Sequence, residues 1–285
     1  MMDNLSKRAT LVSLKVSKWS GRCVDKQISQ NVLIQHNAQE EAGSFSKKLL
    51  PESALKEISS IINEAKKYYK EKTLAWEDGK FRLLPTKLTS EFMCEMRDAK
   101  VKLDHAVNIF KQDYENYKIQ AKTMLNGLYK EGDYPQLPDF DKKFNLEFNF
   151  QNISDPKDFR CEVSQDIKEI IQKNMKDSME KQYAESIKRL YERIHTVISH
   201  FNEKLSEYSE GSKLYSSMII NIHELVKILP DLNIMNDENI AQITERIQKQ
   251  ICKYDINELR HSPTFREGAI KASSDIMKDL EALYG

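Results

Sequence analysis

TSEFMCEMRDAKVKLDHAVNIFKQDYENYKIQAKTMLNGL, residues 89–128, is the stretch that decides the fold. No Pro or Gly occurs between Pro85 and Gly127. Phe92, Met96, Ala99, Leu103, Ala106, Phe110, Tyr114, Tyr117, Ala121, Met124 and Leu128 follow one another by threes and fours. Their mean spacing is the ~3.6-residue period of an α-helix. Thr89 suits an N-cap, with Glu91 behind it. Gly127 and Gly132 mark the C-terminal end. At ~1.5 Å per residue such a helix is about 60 Å long.

Upstream, Pro51 opens a second helix, with Leu55, Ile58, Ile62, Ala65 and Tyr69 on one stripe up to about Thr73. Pro suits a first helical position, where its missing N–H is not needed. Between the two helices lies WEDGKFRLLP, residues 76–85, a hairpin-like loop with an Asp78-Gly79 turn signal. Near the N-terminus Val12, Leu14 and Val16 alternate with Ser13, Lys15 and Ser17, so residues 11–19 predict a half-buried strand. A weaker helical stretch falls around 25–38.

Downstream, residues 133–143 form an irregular connection carrying Pro135 and Pro138. Phe144, Leu146, Phe148 and Phe150 then alternate with polar residues, and Phe159, Cys161 and Val163 alternate again beyond the turn SDPKD. Strands near 144–151 and 159–163 are expected as an antiparallel hairpin. A lone hairpin is marginal in water, and no other segment offers a comparable alternating run, so strand 11–19 is its expected third member. Leu14 would then face the core, and Leu14→Asp should destabilise the protein. Ser164 caps another long helix to about 209, thin in apolar residues over 172–186, where it reads as a stalk. Three C-terminal helices follow: one between Gly211 and Pro230, one over 237–254 capped by Asp237, and one after Pro263.

The fold class is therefore α+β, mostly α. A long antiparallel helical pair (90–128 and 164–209) accompanies a small antiparallel sheet and C-terminal helices. The chain reads as one elongated domain over 1–285, with halves at 1–163 and 164–285.

Composition agrees. Eight Gly and seven Pro in 285 residues are roughly 5% of the chain, against an average near ~12%. Forty-four basic residues balance forty-four acidic ones, which argues against a protein built to coat DNA or a membrane surface. No apolar run approaches the ~20 residues of a membrane span. Cys23, Cys94, Cys161 and Cys252 stand alone, as reduced thiols of a cytoplasmic protein do.

No catalytic signature emerges. His195 and His200 lie five residues apart, about 140° apart around a helix, so they do not share a metal. There is no phosphate loop, no dinucleotide fingerprint and no nucleophile elbow. Neither cofactor nor metal is expected. Two basic clusters stand out. One holds Lys7, Arg8, Lys15, Lys18, Trp19 and Arg22; the other holds Lys66, Lys67, Tyr68, Tyr69, Lys70 and Lys72, near Lys80 and Arg82. A basic strand ending in an aromatic can track a phosphate backbone and stack a base. Lys15, Lys18, Trp19, Arg22, Lys80 and Arg82 are therefore the candidate nucleic-acid-binding residues. Ordinary solvated faces, with Trp19 and Tyr69 in the core, explain the same residues.

The stretches LVSLKVSKWSGR (11–22), FSKKLLPESALKEI (45–58), TLAWEDGKFRLLP (73–85) and GLYKEGDYP (127–135) resemble the pattern of a domain-of-unknown-function family of bacteriophages, plasmids and integrative elements. FNLEFNF (144–150), DFRCEVS (158–164) and LVKILPDLN (225–233) fit the same order, so the resemblance covers almost the whole chain. Members tend to be encoded near a MoxR-type AAA+ ATPase and a von Willebrand factor A-type protein. The resemblance implies a mobile-element origin and a MoxR-type AAA+ ATPase as partner. It transfers no catalytic residue. The expected function is a non-enzymatic adaptor or scaffold in the cytoplasm of a bacterial host. A nucleic-acid-binding accessory protein is the alternative.

Overall fold

Long Gly-free segments and a few short alternating ones yield ten α-helices and six strands among the described residues, with short 3-10 segments between them. The computed structural model describes residues 5–76, 79–156, 163–209 and 213–284. In chain order the elements are α1 (Leu5–Arg8), β1 (Ala9–Ser17), β2 (Arg22–Val24), α2 (Lys26–Gln35), β3 (Ser46–Lys48), α3 (Lys56–Glu71), β4 (Leu74–Trp76), β5 (Phe81–Pro85), α4 (Thr89–Leu125), α5 (Phe140–Lys143), β6 (Asn145–Gln151), α6 (Gln165–Ser206), α7 (Ser217–Leu232), α8 (Glu238–Gln250), α9 (Ile256–His261) and α10 (Pro263–Tyr284). The class is α+β, mostly α, as expected.

One sheet has the strand order β4-β5-β1-β6, and β2 and β3 form a second, two-stranded sheet. The expected union of strand 11–19 with strand 144–151 is present, since β1 and β6 are neighbours. β1 has a second neighbour that no alternating run indicated. β5 lies antiparallel on β1, with Leu11 opposite Leu83 and Val12 opposite Arg82. β4 pairs with β5 in turn, Leu74 opposite Leu83 and Trp76 opposite Phe81. Alternation misses β5 because Leu83 and Leu84 are both fully buried. A strand covered on both faces reads as an apolar run without period. β1 behaves likewise: Leu11 and Val12 are both buried, whereas Leu14 is only half-buried. The strand expected at 159–163 lies outside the described residues, except Val163, which is exposed and in no strand.

The chain forms two compact units. One comprises the residues up to Ser13, Tyr69–Phe92, and those from Asn149 onward; the other comprises Leu14–Tyr68 and Met93–Phe148. The expected halves at 163/164 are not these units. Pairing of β1 with β5 joins the N-terminal segment to 69–92, and Ala75 in β4 accepts a hydrogen bond from the Ser186 hydroxyl on α6.

In the first unit, α6 buries Ile187, Leu190, Ile194, Ile198, Phe201 and Leu205 along one face. The helix covering this face's C-terminal portion is α10, where the sequence reading placed the helix over 90–128 as the long partner. Asn202 Nδ2 donates to the Ile270 carbonyl at 2.9 Å and to Ser273 Oγ at 2.7 Å. His195 Nε2 lies 3.3 Å from Glu281 Oε1, and the Tyr191 and Tyr284 rings stack. As α6 numbers fall, α10 numbers rise, so the pair is antiparallel. Asp237 caps α8 as expected, accepting from the Asn239 and Ile240 N–H groups at 2.8 and 3.2 Å. Asp237→Ala should cost about 1–2 kcal/mol, read as a lower denaturant midpoint with unchanged slope.

In the second unit, α4, α5 and the residue between α5 and β6 gather Phe110, Tyr114, Phe140 and Phe144 into a buried aromatic cluster. Gly21 turns the chain from β1 into β2 with φ +64°, and a Cβ there would lie 3.0 Å from Leu55 Cδ1. An L side chain in that left-handed region costs about 1–2 kcal/mol. Gly21→Ala should therefore lower the melting temperature by several degrees.

Candidate functional site

The six basic and aromatic candidates divide between the units. Lys15, Lys18, Trp19 and Arg22 belong to the second unit; Lys80 and Arg82 belong to the first. Lys15, Lys18, Arg22 and Lys80 are exposed. Trp19 is half-buried, its ring 5.4 Å from that of Phe140 and 6.5 Å from that of Phe110. That ring serves the aromatic cluster. Arg82 is also committed to the fold. Its Nε donates to Thr73 Oγ1 at 2.6 Å, and its Nη2 donates to the Thr73 and Lys70 carbonyls at 2.9 and 3.3 Å. The guanidinium also lies over the Tyr69 ring.

The most tightly built polar cluster joins residues distant in sequence within the second unit. The middle residue of β3, Lys47, points inward and is buried. Its Nζ donates to Asp25 Oδ2 at 3.2 Å and to the Leu128 carbonyl at 2.8 Å, and lies 2.6 Å from Asp133 Oδ2. Lys130 Nζ reaches the same Asp25 oxygen at 3.1 Å, and Asp25 Oδ1 accepts from the Ile28 N–H at the start of α2. The Lys130 hydrogen bond, aided by those from Ile28 and Lys47, outweighs desolvation and lowers the Asp25 carboxyl to about 2. Burial alone would lower Lys47, but its carboxylate partners overcome that and hold it above the ordinary lysine range. Burial, and then Asp133 at 3.7 Å from the sulfur, push the Cys23 thiol up. A thiol held protonated is a poor nucleophile. The cluster is a clasp that ties β2, β3 and the 128–133 loop together.

A second polar feature lies in the first unit. Arg82, Arg189 and Arg193 border a groove of about 490 Å³ between β4 and α6, with Lys70, Glu71 and Glu192 also on its rim. Arg193 Nη1 donates to the Lys70 and Glu71 carbonyls at 3.5 and 3.0 Å. Arg189 Nε donates to the exposed carboxylate of Glu185 at 3.2 Å.

Sequence reasoning overlooked Asp25, Lys47, Asp133, Arg189 and Arg193. Lys47 and Asp133 are 86 positions apart, and no local pattern links them. Arg189 and Arg193 carried a readable signal, because residues four apart share one helix face. Among the described residues no group of three or more His, Cys, Asp or Glu could hold a metal. No described helix is long and apolar enough to cross a membrane. No family model, curated protein or solved structure matches this chain.

Proposed function

We propose that this protein is a non-enzymatic adaptor or scaffold of a mobile genetic element, working with a MoxR-type AAA+ ATPase in the bacterial cytoplasm. The observation that carries the reading is the first half of α6. From Gln165 to Glu185 no residue is buried, a length of about 30 Å at ~1.5 Å per residue. Ile167 and Ile170 are 48% and 60% exposed on it, and Ile171, Met175 and Met179, each half-buried, continue the apolar run. Helices lay such stripes into partner grooves through anchors three and four residues apart. The family resemblance supplies the ATPase and the mobile-element setting. Affinity purification from native cells with mass spectrometry should recover the ATPase, and Ile167→Glu with Ile170→Glu should abolish that recovery. Isolation of the protein alone, as a monomer, would overturn the reading.

A second reading is supported by the exposure of Lys15, Lys18, Arg22 and Lys80. It makes the protein a nucleic-acid-binding accessory factor. Binding of that kind weakens steeply with salt because phosphate contacts release counterions. Mobility shifts at two salt concentrations test it, and no shift at low salt would end it.

A further inference from the structure

The groove between β4 and α6 has an excess of cations that the fold leaves partly unused. Lys70, Arg82, Arg189 and Arg193 face it, against Glu71 and Glu192. Capping the carbonyls at the end of α3 accounts for part of this. Lysine and arginine favour that position because the helix dipole is negative there. Capping does not account for the rest. Arg193 spends only Nη1 on the Lys70 and Glu71 carbonyls, and Arg82 spends Nε and Nη2. Among the described residues, Nε and Nη2 of Arg193 and Nη1 of Arg82 donate to no protein acceptor. Arg189 caps nothing; its Nε meets a Glu185 side chain that is 54% exposed.

Electrostatics points the same way. Burial holds the guanidinium of Arg82 below its ordinary range, and repulsion from Arg193 and Arg189 adds to this. Burial does the same to Arg193, against the opposing pull of Glu71. Like charges gathered in a partly desolvated groove destabilise one another, and a bound anion reverses that sign. The carbonyl hydrogen bonds also hold the Arg82 and Arg193 planes in place before any ligand arrives, which reduces the ordering cost of binding. Guanidinium forks match phosphate geometry. The groove's apolar lining is Leu74, Ala75 and Leu190, with no aromatic ring on which a base could stack.

We infer that this groove binds a phosphate-bearing anion carrying at least two negative charges, held by Arg82, Arg189 and Arg193. The inference is independent of the adaptor reading and uses none of the apolar α6 residues that carry it.

Calorimetric titration of the full chain with pyrophosphate, and in parallel with ATP, tests it at constant ionic strength. Saturable binding is expected for at least one of the two. Arg189→Gln and Arg193→Gln should each weaken it about tenfold, the loss of one charge-assisted contact. Arg22→Gln, in the other unit, should leave it unchanged. Pyrophosphate binding as tightly as ATP would show that the phosphates alone are recognised; binding of ATP only would place a nucleotide in the groove. Arg189 is 46% exposed, so Arg189→Gln should keep the wild-type melting curve and carry the test if Arg193→Gln does not fold. No saturable heat with either probe, or equal affinity in the wild type and both variants, would overturn the inference.

Discussion

Leu83→Asp should abolish cooperative folding of the unit built on β4, β5 and the C-terminal helices. Leu83 is fully buried in β5, a central strand. Its cross-strand neighbours are Leu11 on one side and Leu74 on the other, both buried. An aspartate there meets no cation and no donor in its own row. Losing a buried Leu removes about 1.5–3 kcal/mol of apolar burial, and a stranded polar or charged group adds several kcal/mol more. The sum, above ~5 kcal/mol, is comparable to the whole stability of an ordinary domain. Circular dichroism melting should show no sharp transition. Leu83→Met, which keeps volume and polarity, should cost under about 1.5 kcal/mol. Leu14→Asp should fall between the two, because Leu14 is half-buried and its new carboxylate can reach water. A wild-type melt for Leu83→Asp would refute the sheet order.

Lys47→Met should destabilise the second unit by about 3–5 kcal/mol, the usual cost of removing one partner from a buried ion pair. The Lys47 side chain is 2% exposed, that of Asp25 3% and that of Asp133 20%. Methionine fills a similar volume but leaves the two carboxylates without the ammonium between them. Restoring neutrality with Asp25→Asn on top of Lys47→Met should recover part of the loss. A double-mutant cycle reads that coupling directly. Additive effects would show that the two residues do not interact.

The same cluster sets a pH dependence. The carboxyl of Asp25 is lowered to about 2 in the folded protein, below the ~3.9 of an unfolded chain. A lowered folded value stabilises above the unfolded one, and the gain is lost as pH falls through the folded one. The melting temperature should therefore drop between about pH 4 and pH 2, and drop less in Asp25→Asn. Lys47 is shifted up, so its contribution is present at neutral pH and is lost only above the ordinary lysine range.

Helix and strand content was legible because it follows from local spacing. The period of residues 89–128 stands against α4 at Thr89–Leu125, and the absence of Pro and Gly after 156 against α6 at Gln165–Ser206. The alternation of residues 144–151 reappears as β6, and that of 11–19 as β1 at Ala9–Ser17. A buried face must recur at the period of its own backbone, and that recurrence is written in the chain. Asp237 was legible for a similar reason, because a helix cap depends on only a few adjacent residues; Pro51 instead precedes a short 3-10 segment, Glu52–Leu55, and α3 itself starts at Lys56.

Partners across the chain were decided by tertiary structure. β5 was half-seen, as a hairpin signal, but its place beside β1 was hidden because Leu83 and Leu84 are buried on opposite faces. The two-stranded sheet of β2 and β3 rests on three residues each and one inward lysine, too short for any period to register. α6 took α10 as its antiparallel partner because Ser273, Ile276 and Leu280 present a face to its second half, with Asn202 bonded across. The basic candidates show the same division. Their charge was visible in the sequence, but only folding commits Trp19 to an aromatic cluster and Arg82 to the carbonyls of Lys70 and Thr73. Local periodicity depends on neighbours a few residues apart, so the sequence carries it alone. Ion pairs and strand neighbours depend on which distant surfaces exclude water together, and only the packed chain determines that.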